Sequence, residues 1–347
     1  MPRLSAAPRV APRLRGLLLG VVAVVAGGCG AAARSTALPA GTAPAGGRAY
    51  VCNFASDALP GTTITPIDLA AGRTAGRVTI GSLPSAVATT PGGGRLLVVA
   101  QGADVLVVLD TASDAVIGRV PTGLEPDAVA VTPDGRTAVV ADLGDGTVTP
   151  VDLTRLRARR PIAVGSRPDA VAVTPDGRTA VVADFGDRTV TLVDLSTMTA
   201  GPRVPVGNEP DAVAVTPDGT TAVVADFGDG TVTPVDLATR RAGSPVAVGP
   251  GPTSVAMAPT SPAGGPAAWV AVGASLVPVA IPGLVAGAPV AVGHLAEALA
   301  VDGGGHRAWV AGLDGAVTPI DLATGRAGRS VGVKGRPSAI AVAPPWH

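Results

Sequence analysis

Pro126-Asp-Ala-Val-Ala-Val-Thr-Pro-Asp-Gly135 decides the fold, because the same ten residues return at Pro168 and again at Pro210, a spacing of 42. Weaker copies begin at Pro84, Pro252, Ala296 and Pro337, so the successive steps are 42, 42, 42, 42, 44 and 41. The long step holds an enlarged turn, Pro259-Thr-Ser-Pro-Ala-Gly-Gly-Pro266, and the short one lacks a residue in Ala311-Gly-Leu-Asp-Gly315. A fixed period of this size is read before any single motif, since it marks one supersecondary unit repeated along the chain.

Inside one unit four strand-like runs alternate with turn residues. They are Ala170-Val-Ala-Val-Thr174, Thr179-Ala-Val-Val-Ala183, Thr189-Val-Thr-Leu-Val193 and Arg203-Val-Pro-Val-Gly207. Pro175-Asp-Gly, Asp184-Phe-Gly-Asp and Asp194-Leu-Ser separate them. Four short strands per roughly 40 residues is the pattern of a propeller blade. A β-turn solenoid has a shorter period, and an alternating α/β chain needs helices that are missing here.

The ends set the blade count. Complete units run over 84–125, 126–167, 168–209, 210–251, 252–295 and 296–336. Residues 48–83 hold only the last three strands of a unit and 337–343 only the first. Together they predict a seventh, split blade, and hence an all-β, seven-bladed β-propeller over 48–347 whose ring closes by pairing the C-terminal strand with the N-terminal ones. Closure removes the open sheet edges that a linear array exposes.

Composition agrees. The chain has 347 residues, 47 Gly and 34 Pro, and its 47% of hydrophobic residues are mostly Ala and Val. That balance favours short strands and many turns. With 26 basic and 26 acidic residues the net charge is zero, which lacks the electrostatic footprint of a nucleic-acid binder.

Tyr50-Val51-Cys52-Asn53, together with the recurring V-G-x-x-P…V-A-V-T-P-D-G text, resembles the YVTN-repeat β-propeller family over residues 48–343. Cys stands where the signature has Thr, and other units carry Val-Val-Ala-Asp or a Trp-Val-Ala variant. The resemblance implies a seven-bladed propeller of secreted or surface proteins and no single activity. On that basis Cys52 reads as a buried strand residue.

The N-terminus carries Arg3, Arg9, Arg13 and Arg15 without an acid, then the apolar run Gly16–Ala26. This is the n- and h-region of a signal peptide. Ala26-Gly27-Gly28-Cys29 resembles a bacterial lipobox, so residues 1–28 are expected to be a lipoprotein signal peptide and Cys29 a lipidated N-terminus. Ordinary cleavage nearby, giving a secreted protein, is the alternative, and a Cys29–Cys52 disulfide is a third use of the cysteine. Residues 29–47, rich in Ala, Gly, Pro, Ser and Thr, read as a flexible tether. The protein is expected outside the cytoplasm, as a monomer that touches the membrane through its anchor.

The acids fall into groups. Asp68, Asp110, Asp152, Asp194, Asp236 and Asp321 end the third strand of their units and read as turn caps. On the opposite, top face, entry loops supply Asp127, Asp169 and Asp211, and the loops after the second strands supply Asp142, Asp184 and Asp226. These six form a candidate acidic crescent at the channel mouth, suited to a hard cation such as Ca²⁺, a basic peptide or an amine. Turn residues satisfied by backbone, copied along with young repeats, are the alternative reading, and Arg167 and Arg188 among the acids favour it.

Catalytic residues are poorly supplied. The three histidines are His294, His306 and His347, none recurring, and there is no Cys-x-x-Cys-His. The sequence is therefore read as a non-catalytic binding scaffold whose partner is a surface or envelope protein or a cell-wall polymer. A metal-dependent lactonase or hydrolase with its site at the channel mouth is the alternative.

Overall fold

The computed structural model describes residues 21–22, 47–55 and 60–343. Cys29 and nearly all of the leader and tether therefore lie outside the described residues. Seven antiparallel sheets are arranged in a ring. Each takes its innermost strand from the start of a repeat, for example Pro126–Val131, and follows it outward with Thr137–Asp142 and Thr147–Asp152. Proline is tolerated at the first position of such a strand because the ladder there needs no donor.

The fourth strand is continuous in two blades, Ala115–Pro121 and Thr199–Pro205, and elsewhere breaks into two-residue pieces such as Arg157–Ala158 and Ile162–Ala163. A short or broken outer strand leaves little ladder on which a second chain could add.

Strand periodicity explains the Ala and Val content. Along Thr137–Asp142, Ala138 and Val140 pack toward Leu97 and Val99 of the preceding blade. Val139 and Ala141 pack toward Val171 and Val181 of the following one. Each strand is thus buried on both faces, and the small side chains let neighbouring sheets approach closely. Two units use a larger filler. Trp269 and Trp309 are buried, and the Trp269 indole N–H donates to Thr260 O at 3.1 Å.

The ring closes where the chain ends meet. Arg336–Ala343 pairs antiparallel with Arg48–Ala55 from Arg48↔Ala343 to Ala55↔Arg336, and that strand in turn pairs with Pro60–Asp68. Arg48 reaches Asp114 of the adjacent blade at 3.2 Å, and the Tyr50 hydroxyl donates to Thr111 O at 3.4 Å. Cys52 is a fully buried free thiol inside this closure, with its pKa raised by burial.

Along the axis, Val21–Val22 pairs in parallel with Pro252–Ala258 at Val21↔Ser254 and touches the innermost strands of all seven blades. It therefore lies in the channel. Among the described residues no helix is long and apolar enough to cross a membrane.

Closure makes truncation asymmetric. Removing residues 336–347 strips the inner strand from the split blade and is expected to abolish the cooperative thermal transition and give aggregates on size exclusion. Removing residues 1–46 leaves every blade whole, and a cooperative circular-dichroism melt is expected to persist.

Candidate functional site

The top face is built by two loops per blade, and a glycine brings them together. Gly123, Gly165 and Gly207, the glycines of V-G-x-x-P, lie directly against Asp142, Asp184 and Asp226, and a Cβ at Gly123 would sit 2.7 Å from the Asp142 side chain. The close approach serves a hydrogen bond. Gly123 N–H donates to Asp142 Oδ1 at 3.0 Å, while the Thr147 and Thr149 hydroxyls donate to Oδ2 at 3.1 and 2.6 Å. Asp184 has the same three donors in Gly165, Thr189 and Thr191, and Asp226 has them in Gly207, Thr231 and Thr233.

Each of these carboxylates thus ties an entry loop to the third strand of the following blade. Burial pushes Asp142 and Asp226 up to about 6, against the pull of their donors, and raises Asp184 in the same way. The second acid of each loop is also engaged: Asp145, Asp187 and Asp229 accept from the N–H of Leu124, Ser166 and Asn208 at 2.7–2.9 Å.

Asp127, Asp169 and Asp211 have a different environment. They occupy the residue after the opening Pro or Ala of each repeat, which in the seven blades reads Ser85, Asp127, Asp169, Asp211, Thr253, Glu297 and Ser338. In all seven blades the strand register shifts across this residue, as between Pro126 and Ala128, so the bulge turns its side chain out of the ladder. All seven are buried.

Where the ring residue is a hydroxyl it links blades. Ser85 donates to Pro126 O at 3.3 Å, Thr253 to Ala296 O at 3.2 Å and Ser338 to Pro84 O at 3.0 Å. Where it is an acid the ring presents a carboxyl group instead. Gln101 Nε2 donates to Asp127 Oδ1 at 3.0 Å. Asp127 Oδ2 and both oxygens of Asp211 meet no hydrogen-bond donor among the described residues. Burial, and after it the negative charge of Asp169, drives Asp127 and Asp211 well above the ordinary carboxylate range. Glu297, separated from Asp211 by the Thr253 blade, is pushed up to about 7 by burial despite the opposing charge of Arg336.

The six candidate acids therefore divide into two sets with different surroundings. Asp127, Asp169 and Asp211 meet at the channel, whereas Asp142, Asp184 and Asp226 hold loops in separate blades. Glu297 is missing from the six candidate acids although the copy beginning at Ala296 places it at the position of Asp127, Asp169 and Asp211; comparing the second residue of every copy finds it. Among the described residues no three His, Cys, Asp or Glu side chains form a group able to hold a metal ion.

Other loop residues have defined surroundings. The Arg167 guanidinium lies over the Phe185 ring, 4.8 Å from its centroid. His294 Nε2 is 2.8 Å from Thr318 Oγ1. The third-strand aspartates accept from backbone N–H groups of their turns, as Asp68 does from Ala70 and Ala71 at 3.0 and 2.9 Å.

Comparison with known proteins agrees with the architecture. A family model described as "YNCE-like beta-propeller" matches residues 57–263, more than half of the chain. No curated protein sequence matches. Among solved structures, a functionally unknown protein from Desulfotomaculum acetoxidans is similar with a TM-score of 0.74 at 15% identity, over 86% of this chain and 99% of that one. Hydrazine synthase of Kuenenia stuttgartiensis gives 0.65 at 20%, over 76% and 90%. The dihydro-heme d1 dehydrogenase NirN gives 0.61 at 14%, over 84% and 74%. At these identities the likeness is of fold alone.

Two outcomes follow from the site. Asp184→Ala leaves three donors unmatched and is expected to cost about 2–3 kcal/mol in chemical denaturation, with a smaller loss for Asp187→Ala. Each raised acid contributes stability that is complete below its unfolded pKa, about 4, and lost as pH rises through its folded value. The thermal midpoint is thus expected to fall between pH 5 and pH 8, through about 6 for Asp142 and Asp226 and about 7 for Glu297. A profile flat over that range in a calorimetric pH series contradicts this.

Proposed function

We propose, since the chain belongs to the YNCE-like β-propeller family, that it is a non-catalytic binding module held outside the cytoplasm by a lipidated Cys29, presenting its top face to a surface or envelope protein or a cell-wall polymer. The observation that carries this reading is the fixation of the top face by its own carboxylates. Asp142, Asp184 and Asp226 hold the entry loops through backbone and threonine donors, so the loops are ordered before any partner arrives. Preorganisation lowers the entropic cost of binding and does not require chemistry at the surface.

Exposed loop residues supply contact chemistry on that frame. Leu124 and Leu295 are 55% and 59% exposed, and Glu125, Arg167 and Glu209 of three entry loops have left-handed backbone, φ 49°, 52° and 53°. Non-glycine residues take that conformation rarely, so it fixes where these side chains point. The YVTN-like text of the repeats and the lipobox-like Ala26-Gly27-Gly28-Cys29 support the surface location.

The competing reading, a metal-dependent lactonase or hydrolase, draws on the acids of the channel ring. The protein lacking residues 1–46 is to be assayed against lactones and carboxylic esters with and without Ca²⁺, Mg²⁺, Mn²⁺ and Zn²⁺. Absence of metal-stimulated turnover is expected; turnover abolished by Asp169→Asn establishes the hydrolase instead. In cells, Cys29→Ser is expected to move the protein from the membrane to the soluble fraction, and an unchanged distribution refutes the anchor.

A further inference from the structure

The turn joining the third and fourth strands of the blade that opens at Pro126 is unlike its counterparts. It reads Asp152-Leu-Thr-Arg-Leu-Arg-Ala-Arg-Arg-Pro161, with arginine at 155, 157, 159 and 160 and a single acid. The strand leading into it and that of the blade opening at Pro210 are identical, Thr-Val-Thr-Pro-Val-Asp at 147–152 and 231–236, so the arginines depart from copied text. Asp152 answers only part of their charge, meeting Arg155 at 2.8 Å and Arg159 at 3.8 Å. Among the described residues neither Arg157 nor Arg160 forms an ion pair. The Arg95 guanidinium of the preceding blade donates to Leu153 O and stands alongside. All four arginines of the turn are exposed, and with Asp152 and Ala158 they line one surface pocket of about 330 Å³.

Packing does not call for these side chains. Arg159 N–H donates to Pro150 O at 2.8 Å, and in three other blades the same bond is made by Gly243, Gly287 and Gly328 to Pro234, Pro278 and Pro319, each at 2.7 Å. A Cβ at those glycines would sit 3.0–3.1 Å from the proline ring, a crowding that glycine relieves. The blade opening at Pro126 keeps the proline and sets an arginine against it. Like charges gathered in one turn also repel one another. What the arrangement does offer is outward positive charge in planar forks, each able to meet two phosphate oxygens at once.

Position identifies the source of the phosphate. The turn lies on the face opposite the entry loops, where the third strands end. The chain enters the propeller on that same face: Arg48 is paired with Asp68, the third-strand end of its blade, and Gly47 O accepts from Leu69 N–H at 3.2 Å. A flexible tether over residues 29–47 has a root-mean-square span of about 25 Å, so a lipid on Cys29 keeps this face toward the bilayer. An acyl anchor and a basic cluster are two signals that together give stable membrane attachment. We propose that Arg155, Arg157, Arg159 and Arg160 dock this face on the phosphate headgroups of anionic phospholipids. This deepens the binding-module reading and rests on its membrane location; it adds an orientation, with the top face turned away from the bilayer toward its partner.

The test is co-sedimentation of the protein lacking residues 1–46, in which all seven blades are complete and Cys29 is absent, with vesicles of phosphatidylcholine alone or mixed equally with phosphatidylglycerol. Sedimentation with the mixed vesicles only is expected at about 0.01 M salt, and its loss at about 1 M. Arg157→Gln combined with Arg160→Gln is expected to weaken it about tenfold or more, whereas Arg157→Lys with Arg160→Lys retains most of it. Arg188→Gln with Lys334→Gln, which removes as much charge from the top face, leaves it unchanged. A thermal melt checks that each variant is folded. Equal sedimentation with phosphatidylcholine, undiminished binding by the glutamine pair at 157 and 160, or no sedimentation at all overturns the proposal. Capture of soluble polyphosphate in place of vesicles also overturns it and assigns the turn to an anionic polymer. Vesicles left unbound while Cys29→Ser still releases the protein from cell membranes would mean that the anchor stands and the docking fails. Vesicles bound while Cys29→Ser changes nothing would mean that the anchor fails and the arginines hold the protein alone.

Discussion

The pairing of Arg336–Ala343 with Arg48–Ala55 is the interaction on which the remainder of the molecule depends. Every other blade is made from consecutive strands and needs only a local ladder. The split blade alone converts six such blades into a ring, and without it two buried faces of Ala and Val would meet water. Tyr50 and Cys52 fill this seam, and Arg48 ties it onward to Asp114. The channel and its acidic ring exist only because that closure sets the spacing of the innermost strands.

A second, repeated constraint shapes the face above the channel. The glycine of V-G-x-x-P and the aspartate ending the next second strand form one device: the missing Cβ lets a carboxylate accept from the loop's own N–H. Ionisation of that aspartate is opposed by burial and supported by two threonines on the adjoining strand. The same residue type in Asp127 and Asp211, four residues from the same glycines, meets few donors among the described residues. Identity of side chain decides little here, and the backbone that aims it decides the role.

The architecture was legible because blade packing imposes a period. A blade that must bury both faces against two neighbours repeats its Val and Ala positions, and the incomplete units at 48–83 and 337–343 are intelligible only as halves of one sheet. The division among the acids was less legible. Asp127 and Asp142 sit in equally acidic, glycine-rich text, and nothing in the order of residues tells that a bulge between Pro126 and Ala128 directs the first to the axis while Thr147 and Thr149 enclose the second. Glu297 stands at the same repeat position by spacing, but its blade lacks the opening proline and the aspartate, so composition does not group it with the acidic blades.

The near-identity of the blades opening at Pro126, Pro168 and Pro210 creates an ambiguity of assembly. An innermost strand from one of these units finds the same side chains on the second strand of either neighbour, so a mispaired arrangement offset by a whole unit satisfies local contacts almost as well as the native one. What distinguishes them is arithmetic around the circle, since an offset leaves one strand surplus and the seam unfilled. The chain therefore proofreads its middle with its ends. Divergence is least tolerable where the repeats already differ most, in the strands that meet last, and duplication of an internal unit would be detected only as a ring unable to shut.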